Sequence, residues 1–174
     1  MPISLHAAFV PSSLQILGAV AGLLDKAEAH CAETGCAPAD LIGAKLAPDM
    51  ADFAYQIKMC AAHSAGAVDG VLAGNFSPDM SPPPADFAGL KAAIAAATAR
   101  LNAVSEAELE PLVGKPMAFT MGADFRLDFT AENFLLTFSQ PNFYFHATTA
   151  YDLLRMKGLA IGKMDFLGAM RMGV

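Results

Sequence analysis

The sequence predicts a mainly α-helical protein, a four-helix bundle with a small β-hairpin between the third and fourth helices. Two observations lead to this fold class. Apolar residues recur at helical spacing over four long segments, and one short stretch near residue 120 instead alternates with a period of two. At 174 residues the chain fits one domain covering 1–174, long enough to bury a core of its own.

The first helix is predicted over residues 5–31. Leu14, Leu17, Val20 and Leu24 recur at three- and four-residue intervals, which places them on one buried face. Gly35 follows as a helix stop, and residues 37–46 can form a short helical connector.

The second helix is predicted to begin near Pro48 and Asp49, because proline tolerates the first turn and an acid favours it. Its glycines at positions 66, 70 and 74 are spaced by four residues. This spacing predicts close packing along the helix and a C-terminal stop at Gly74.

The later elements follow from prolines, glycines and a change of period. Residues 75–84 hold four prolines and are predicted to be a loop, after which residues 85–104 form the third helix. The alternation over 117–121 and 125–129 around Gly122 predicts the hairpin. Residues 130–138 are helical, Pro141 begins or kinks a fourth helix over 142–157, and the tail at 159–174 is an ordered arm.

Composition limits the partners. The chain is 55% hydrophobic and 16% charged with a mean hydropathy of +0.41, which favours a homodimer that buries additional surface. The net charge is −6 and the basic residues are scattered, so we expect no nucleic-acid partner and no binding to anionic membranes. The apolar run at 14–24 is shorter than a membrane span requires.

The cysteine content favours a cytoplasmic protein. Cys31, Cys36 and Cys60 make an odd number in a chain too large to depend on disulfides. A signal peptide is the competing interpretation of residues 14–24. No basic residue precedes this run, and Asp25 and Lys26 interrupt it before any cleavage site. Cys60 is expected to be inert core packing.

Four histidines are candidates for chemistry, at positions 6, 30, 63 and 146. None belongs to a local metal-binding motif, so a site would have to be assembled between helices. The second helix predicts a polar stripe beside its apolar face, and the fourth helix predicts a similar one. The second-helix stripe comprises Asp49, Asp52, Gln56 and His63, and the fourth-helix stripe comprises Asn142, His146 and Thr149.

Helices 2 and 4 of a bundle can bring His63 and His146 together. We therefore predict a pocket lined by the two polar stripes, with both histidines as candidate ligands of a divalent metal, zinc or nickel. Zinc sites use at least three protein groups, and Asp52, His6 or a water is the candidate third ligand. The alternative is that each histidine is structural and hydrogen-bonded at the edge of the core.

The chain resembles an uncharacterised bacterial family related to the DinB/YfiT-like superfamily of four-helix bundles. The resemblance rests on three segments spread over most of the chain. They are LAPDM at 46–50 with His63 beyond it, PNFYFH at 141–146 with TTAY at 148–151, and GKMDFLG at 162–168.

The resemblance implies a divalent metal held by one histidine of helix 2 and two of helix 4, and, in some members, thiol-dependent transferase or isomerase activity. His63 matches the helix 2 ligand and His146 one helix 4 ligand. The other helix 4 ligand has no match, because Asn142 and Ala150 stand four residues to either side of His146.

Two hypotheses about function follow. In the first, the protein is a metal- or thiol-dependent transferase or hydrolase that holds a small molecule between helices 2 and 4. In the second, it is a non-catalytic dimeric binding or stress-related module with structural histidines. Three consecutive aromatic residues at 143–145 bear on both, because they cannot all face one core, and one is expected to line a pocket or a dimer contact.

Overall fold

Four long helical segments pack side by side in a computed structural model, which describes residues 3–173. Bundle helix 1 is Leu5–Thr34 and bundle helix 3 is Phe87–Asn102. Bundle helix 2 spans residues 53–73 and consists of Phe53–Ala61, the π-helical Ala62–Gly66 and Ala67–Ala73. Bundle helix 4 spans residues 131–156 and consists of Ala131–Asn133, the π-helical Phe134–Ser139 and Gln140–Met156.

Short helices fill the connections. Pro38–Ile42 follows bundle helix 1, and Glu106–Leu109 with the 3₁₀ turn Glu110–Leu112 follows bundle helix 3. Lys163–Leu167 lies in the tail and packs on bundle helix 1, where Gln15 donates a hydrogen bond to the Leu167 carbonyl (2.8 Å). The tail is therefore packed on the bundle up to Gly168, as its apolar residues predict, and Val174 at the end of the predicted arm lies outside the described residues.

The predicted start of bundle helix 2 is wrong. The helix begins at Phe53, because the Asp52 carboxylate accepts a hydrogen bond from the backbone N–H of Tyr55 (2.9 Å) and so acts as the N-cap. Pro48 and Asp49 lie in the preceding turn. Both acids near this end are compatible with a helix start, and only the cap geometry decides between them.

The predicted hairpin is confirmed. Strand β2 (Pro116–Met121) pairs antiparallel with β3 (Phe125–Thr130), and Gly122 has φ +65° in the connecting turn. A two-residue strand, β1 (Asn75–Phe76), adds to β2 in parallel and makes a three-stranded sheet. The sequence predicts only a loop there, because two residues cannot show a period.

One apolar core joins the helices and the sheet. Its largest fully buried side chains come from all four bundle helices. Bundle helix 1 is long and apolar enough to cross a membrane, judged by length and composition alone. The apolar run at 14–24, which is too short to span a membrane, is only part of this helix. Half of the helix's most apolar window is buried inside the protein.

Bundle helix 2 packs its Gly70 directly against β1. A Cβ added at Gly70 would lie 2.8 Å from the Cβ of Phe76, whereas at Gly66 the nearest neighbouring atom would be 3.7 Å away. We expect Gly70→Ala to lower the free energy of unfolding by about 1–3 kcal/mol, because the strand must shift.

Gly66→Ala is the matched control for that variant. It fits without a close contact, and its better helix propensity should leave stability unchanged or raise it by up to about 1 kcal/mol. Urea unfolding followed by circular dichroism measures both variants. Equal stability of the two would show that the contact between Gly70 and Phe76 is not tight.

Candidate functional site

His63 and His146 meet between bundle helices 2 and 4. Their ring centroids lie 5.7 Å apart and the ring planes differ by 12°, so the imidazoles are nearly parallel neighbours. His63 is buried, with 6% of its surface exposed, and His146 is half-buried. The two histidines singled out in the sequence therefore form one pair, which opens to the surface on the His146 side.

Both helices carry a π-helical segment where they support His63. His63 lies in Ala62–Gly66, and Ser139 is the last residue of Phe134–Ser139. The Ser139 Oγ lies 3.1 Å from His63 Nδ1 and 3.3 Å from the His63 carbonyl oxygen. Interruptions of this kind in α-helices occur frequently at functional sites.

Gln56 holds His146 from the other side. The Gln56 side-chain N–H donates to the carbonyl of Ala51 (3.1 Å), which turns its Oε1 toward His146 Nδ1 at 2.7 Å. Gln56 is buried, so this orientation is shielded from water. Because an amide oxygen only accepts, His146 must donate from Nδ1.

The same reasoning assigns the proton of His63. Both contacts of the Ser139 hydroxyl are satisfied when it donates to the His63 carbonyl and accepts from His63 Nδ1. Each imidazole then carries its proton on Nδ1. Neither Nε2 makes a hydrogen bond to the residues that the structure describes, and neither is a buried atom, so both Nε2 atoms are accessible to solvent.

Burial keeps both rings neutral. Desolvation lowers the pKa of His63 to about 4, with a further contribution from the neighbouring His146, and desolvation alone lowers the pKa of His146 to about 4. At neutral pH the pair therefore offers two unprotonated Nε2 lone pairs. Such groups accept hydrogen bonds or bind cations, and they hold an abstracted proton weakly.

Aromatic rings surround the pair. Phe76 and Phe138 lie beside His63, with ring centroids 5.6 and 5.9 Å away. Tyr55 and Phe145 stand edge-on to His146 at 6.1 and 5.4 Å. The rings beside the pair are therefore apolar apart from the hydroxyl of Tyr55.

The other predicted site residues lie in different places. Asp49 is exposed in the turn before bundle helix 2, and Asp52 is occupied as the cap of that helix. Asn142 is half-buried and donates from its side-chain amide to the Phe138 carbonyl (2.7 Å). Thr149 is buried. The polar stripe predicted on helix 2 thus reduces to Gln56 and His63.

A groove of about 500 Å³ lies beside the pair, near the connector and bundle helix 4. It contains Thr149 from the predicted set, together with Leu46, Met50, Pro141, Tyr144, Phe145, Thr148 and Asp152. Phe145 links the two features, because it lines the groove and its ring touches His146.

The comparisons with known proteins agree with this architecture. The family described as "Domain of unknown function (DUF1993)" matches residues 5–167. The chain belongs to the DUF1993 family. A crystal structure of a DinB family member protein from Shewanella denitrificans is similar over 98% of this chain and 95% of that one, at 25% identity and a TM-score of 0.81. No curated protein matches the chain.

These findings confirm the resemblance and the fold class drawn from the sequence. This DUF1993 protein has a mainly α-helical, DinB-like fold with a small sheet. The predicted position of the hairpin between bundle helices 3 and 4 is also confirmed.

The protein side chains of this DUF1993 protein do not complete a three-ligand site for the predicted zinc or nickel ion. Catalytic zinc sites use three protein ligands, and the histidine pair supplies two. Of the candidate third ligands, Asp52 caps its helix, and His6 binds the Val104 carbonyl through Nε2 (3.0 Å). Within residues 3–173, no set of three or more His, Cys, Asp and Glu side chains is placed to hold a metal.

Sequence reasoning missed Ser139 and the two π-helical segments. Pro141 is the available signal for the second of these segments, because a proline inside a helix removes a backbone donor and favours a local change of helical geometry. Of its two predicted roles, the start of the fourth helix is wrong, because the helix continues through Pro141 from residue 131 and carries the π-helical segment just before it.

Proposed function

We propose that this protein binds a small organic molecule at the surface between bundle helices 2 and 4, with the neutral imidazoles of His146 and His63 accepting hydrogen bonds from it. The observation that carries this proposal is the pair of Nε2 atoms left without partners while both Nδ1 atoms are held. A transferase or hydrolase reaction on the bound molecule is the enzymatic form of the proposal.

The anchoring of the imidazoles supports a binding role. A histidine that only fills space near a core needs one hydrogen bond, and water can supply it. Here a buried glutamine and a buried serine each fix a ring orientation and a tautomer. Because both rings are already ordered in the free protein, ligand binding costs less side-chain conformational entropy.

The adjacent groove supports a ligand of modest size. Small-molecule sites typically enclose about 300–1,000 Å³ and combine apolar walls with a few polar groups. The groove of about 500 Å³ is open to solvent, with Leu46 and Phe145 as apolar walls and Thr148 and Asp152 as polar groups, so it would cover one side of a ligand. Phe145 would have to rotate for one ligand to reach both the groove and His146.

The low pKa of the pair argues for binding over base catalysis. A general base works best with a pKa near the working pH, and burial lowers the pKa of both imidazoles to about 4. A thiol cosubstrate, if one is used, would therefore donate a hydrogen bond to Nε2 more readily than it would transfer its proton.

The test is an NMR titration of uniformly ¹⁵N-labelled protein with a fragment library of alcohols, amides and thiols. Long-range ¹H–¹⁵N spectra report the tautomer and the hydrogen bonding of each imidazole. We expect both histidines to show protonated Nδ1 in the free protein, and a binding fragment to shift both Nε2 resonances. His63→Gln and His146→Gln should each weaken that fragment by at least about tenfold.

His30→Gln is the matched control, because His30 lies on bundle helix 1 near its C-terminal end. Fragment binding that is unaffected by either site variant would contradict the proposal. A parallel titration with Zn²⁺ and Ni²⁺ tests the predicted metal directly. If one metal ion binds per chain and both histidines are required, the site is a metal site and the proposed organic ligand is wrong.

The second hypothesis, a non-catalytic dimeric module, is favoured by the exposed aromatic surface. Phe143 is buried, whereas Tyr144 and Phe145 face outward. Sedimentation analysis of wild type and Phe145→Ser measures this alternative. If the wild type is a dimer and Phe145→Ser is a monomer, this surface mediates self-association.

A further inference from the structure

Cys31 and Cys36 form a close pair at the C-terminal end of bundle helix 1, and neither belongs to the site around His63 and His146. The Cys36 Sγ lies 2.7 Å from the Cys31 Sγ. The two sulfur atoms are therefore in direct contact, as they must be before an S–S bond of about 2.0 Å can form. Both cysteines are free thiols in the structure.

Local backbone geometry produces this proximity. Gly35 ends the helix with φ +75°, and its N–H donates to the Cys31 carbonyl (2.9 Å). A left-handed residue at this position reverses the chain direction, which returns the next residue to the last helical turn. Cys36 is that next residue, and its sulfur therefore faces Cys31.

The two thiols differ in accessibility. Cys31 belongs to the buried core, whereas Cys36 is half-buried and can meet a solute. Burial raises the pKa of Cys31 to about 11, and the hydrogen bond and charge of Cys36 and the charge of Asp40 add to this effect. Cys36 is therefore the thiol that reacts first with a solute, and Cys31 is the resolving cysteine that closes the internal disulfide.

We propose that Cys31 and Cys36 form a reversible dithiol–disulfide site that exchanges with disulfides of low-molecular-weight thiols. The Cys36 thiolate attacks one sulfur of the small disulfide, forms a mixed disulfide and releases one thiol. The Cys31 thiolate then attacks the Cys36 sulfur and releases the second thiol. The protein loses two protons and two electrons, and the small disulfide is reduced to two thiols.

The remaining cysteine provides an internal reference. Cys60 lies in bundle helix 2, is fully buried, and has its pKa raised by desolvation. Trypsin cleavage after Lys26 and Lys45 places Cys31 and Cys36 in one peptide, and cleavage after Lys58 places Cys60 in another. One mass spectrum therefore distinguishes the proposed site from general oxidation.

The experiment incubates reduced, folded protein with oxidised glutathione and quenches samples with an alkylating agent. We expect the peptide 27–45 to lose two hydrogens and both alkylation sites, while Cys60 stays reduced. In the Cys31→Ser variant the reaction should stop at a mixed disulfide between Cys36 and glutathione. Cys36→Ser should lower adduct formation at least tenfold, because Cys31 is inaccessible to the small disulfide.

The free synthetic peptide 27–45 shows whether the fold organises the pair. We expect the equilibrium constant for disulfide formation with glutathione to be at least tenfold higher in the folded protein than in the peptide. Equal constants, or wild-type protein that keeps three thiols while the peptide oxidises, would overturn the proposal. These outcomes do not depend on ligand binding at His63 and His146.

Discussion

The free energy of unfolding should fall steeply as the pH decreases from 6.5 to 4. In the unfolded chain histidine has a pKa near 6.5, while burial lowers the pKa of His63 and His146 to about 4 in the folded protein. Above pH 6.5 both states are neutral and the stability is complete. Between these values the unfolded state binds protons that the folded state excludes, so acid favours unfolding.

The expected magnitude is large for a single pair of residues. Each histidine contributes about 1.4 kcal/mol per pH unit across this window, which amounts to on the order of 3 kcal/mol per histidine. Because folded domains of this size are stable by only about 5–15 kcal/mol, both losses together approach the whole stability. Urea unfolding at intervals between pH 7.5 and 4.5 measures the slope.

The control for this slope is the double variant His63→Gln, His146→Gln. Carboxylates elsewhere titrate in both proteins, so the difference between wild type and variant isolates the two imidazoles. We expect the variant to be less stable at pH 7.5 and to show a much shallower slope. Identical slopes would show that the pair is protonated as easily in the folded as in the unfolded state.

Phe143→Ala should cost about 3–5 kcal/mol of stability, the range found when a buried phenylalanine is truncated. Phe143 is fully buried at 0% exposure and belongs to the bundle core. The variant would leave a cavity in the core, next to the helix that also carries His146 and several groove residues. Circular dichroism during urea unfolding measures the loss.

Phe145→Ala is the matched control for this prediction, because it changes the same residue type two positions along the same helix. Phe145 is 56% exposed, and its truncation should change stability by less than about 1 kcal/mol. It should nevertheless alter ligand binding if the groove and His146 serve one ligand. Similar stability losses in the two variants would contradict the assignment of Phe143 to the core.

Several parts of the fold were predictable because they depend on local chemistry. The stripe of Leu14, Leu17, Val20 and Leu24 predicts a buried helix face; the last three are buried, and Leu14 is partly buried against the core. Gly35 and Gly74 end helices with positive φ, as their positions predict. The hairpin was equally clear, since alternation with a glycine turn has few other structural meanings.

The candidate site was predictable only in part. The proximity of His63 and His146 followed from the resemblance and from the pairing of helices 2 and 4 in such bundles. The helix start at Phe53 removed Asp49 and Asp52 from the predicted stripe. Ser139 could not be selected from the sequence, because its role depends on a π-helical turn that repositions it toward His63.

By itself, the sequence determined the helical class, the hairpin, the glycine stops and the residue types available for chemistry. These features follow from periodicity and backbone preferences, which act over a few neighbouring residues. Only the tertiary structure decided that the two imidazoles lie parallel as neutral rings and that Gln56 and Ser139 hold their Nδ1 atoms. Burial and tautomer depend on contacts between segments far apart in the chain, and no short-range pattern encodes them.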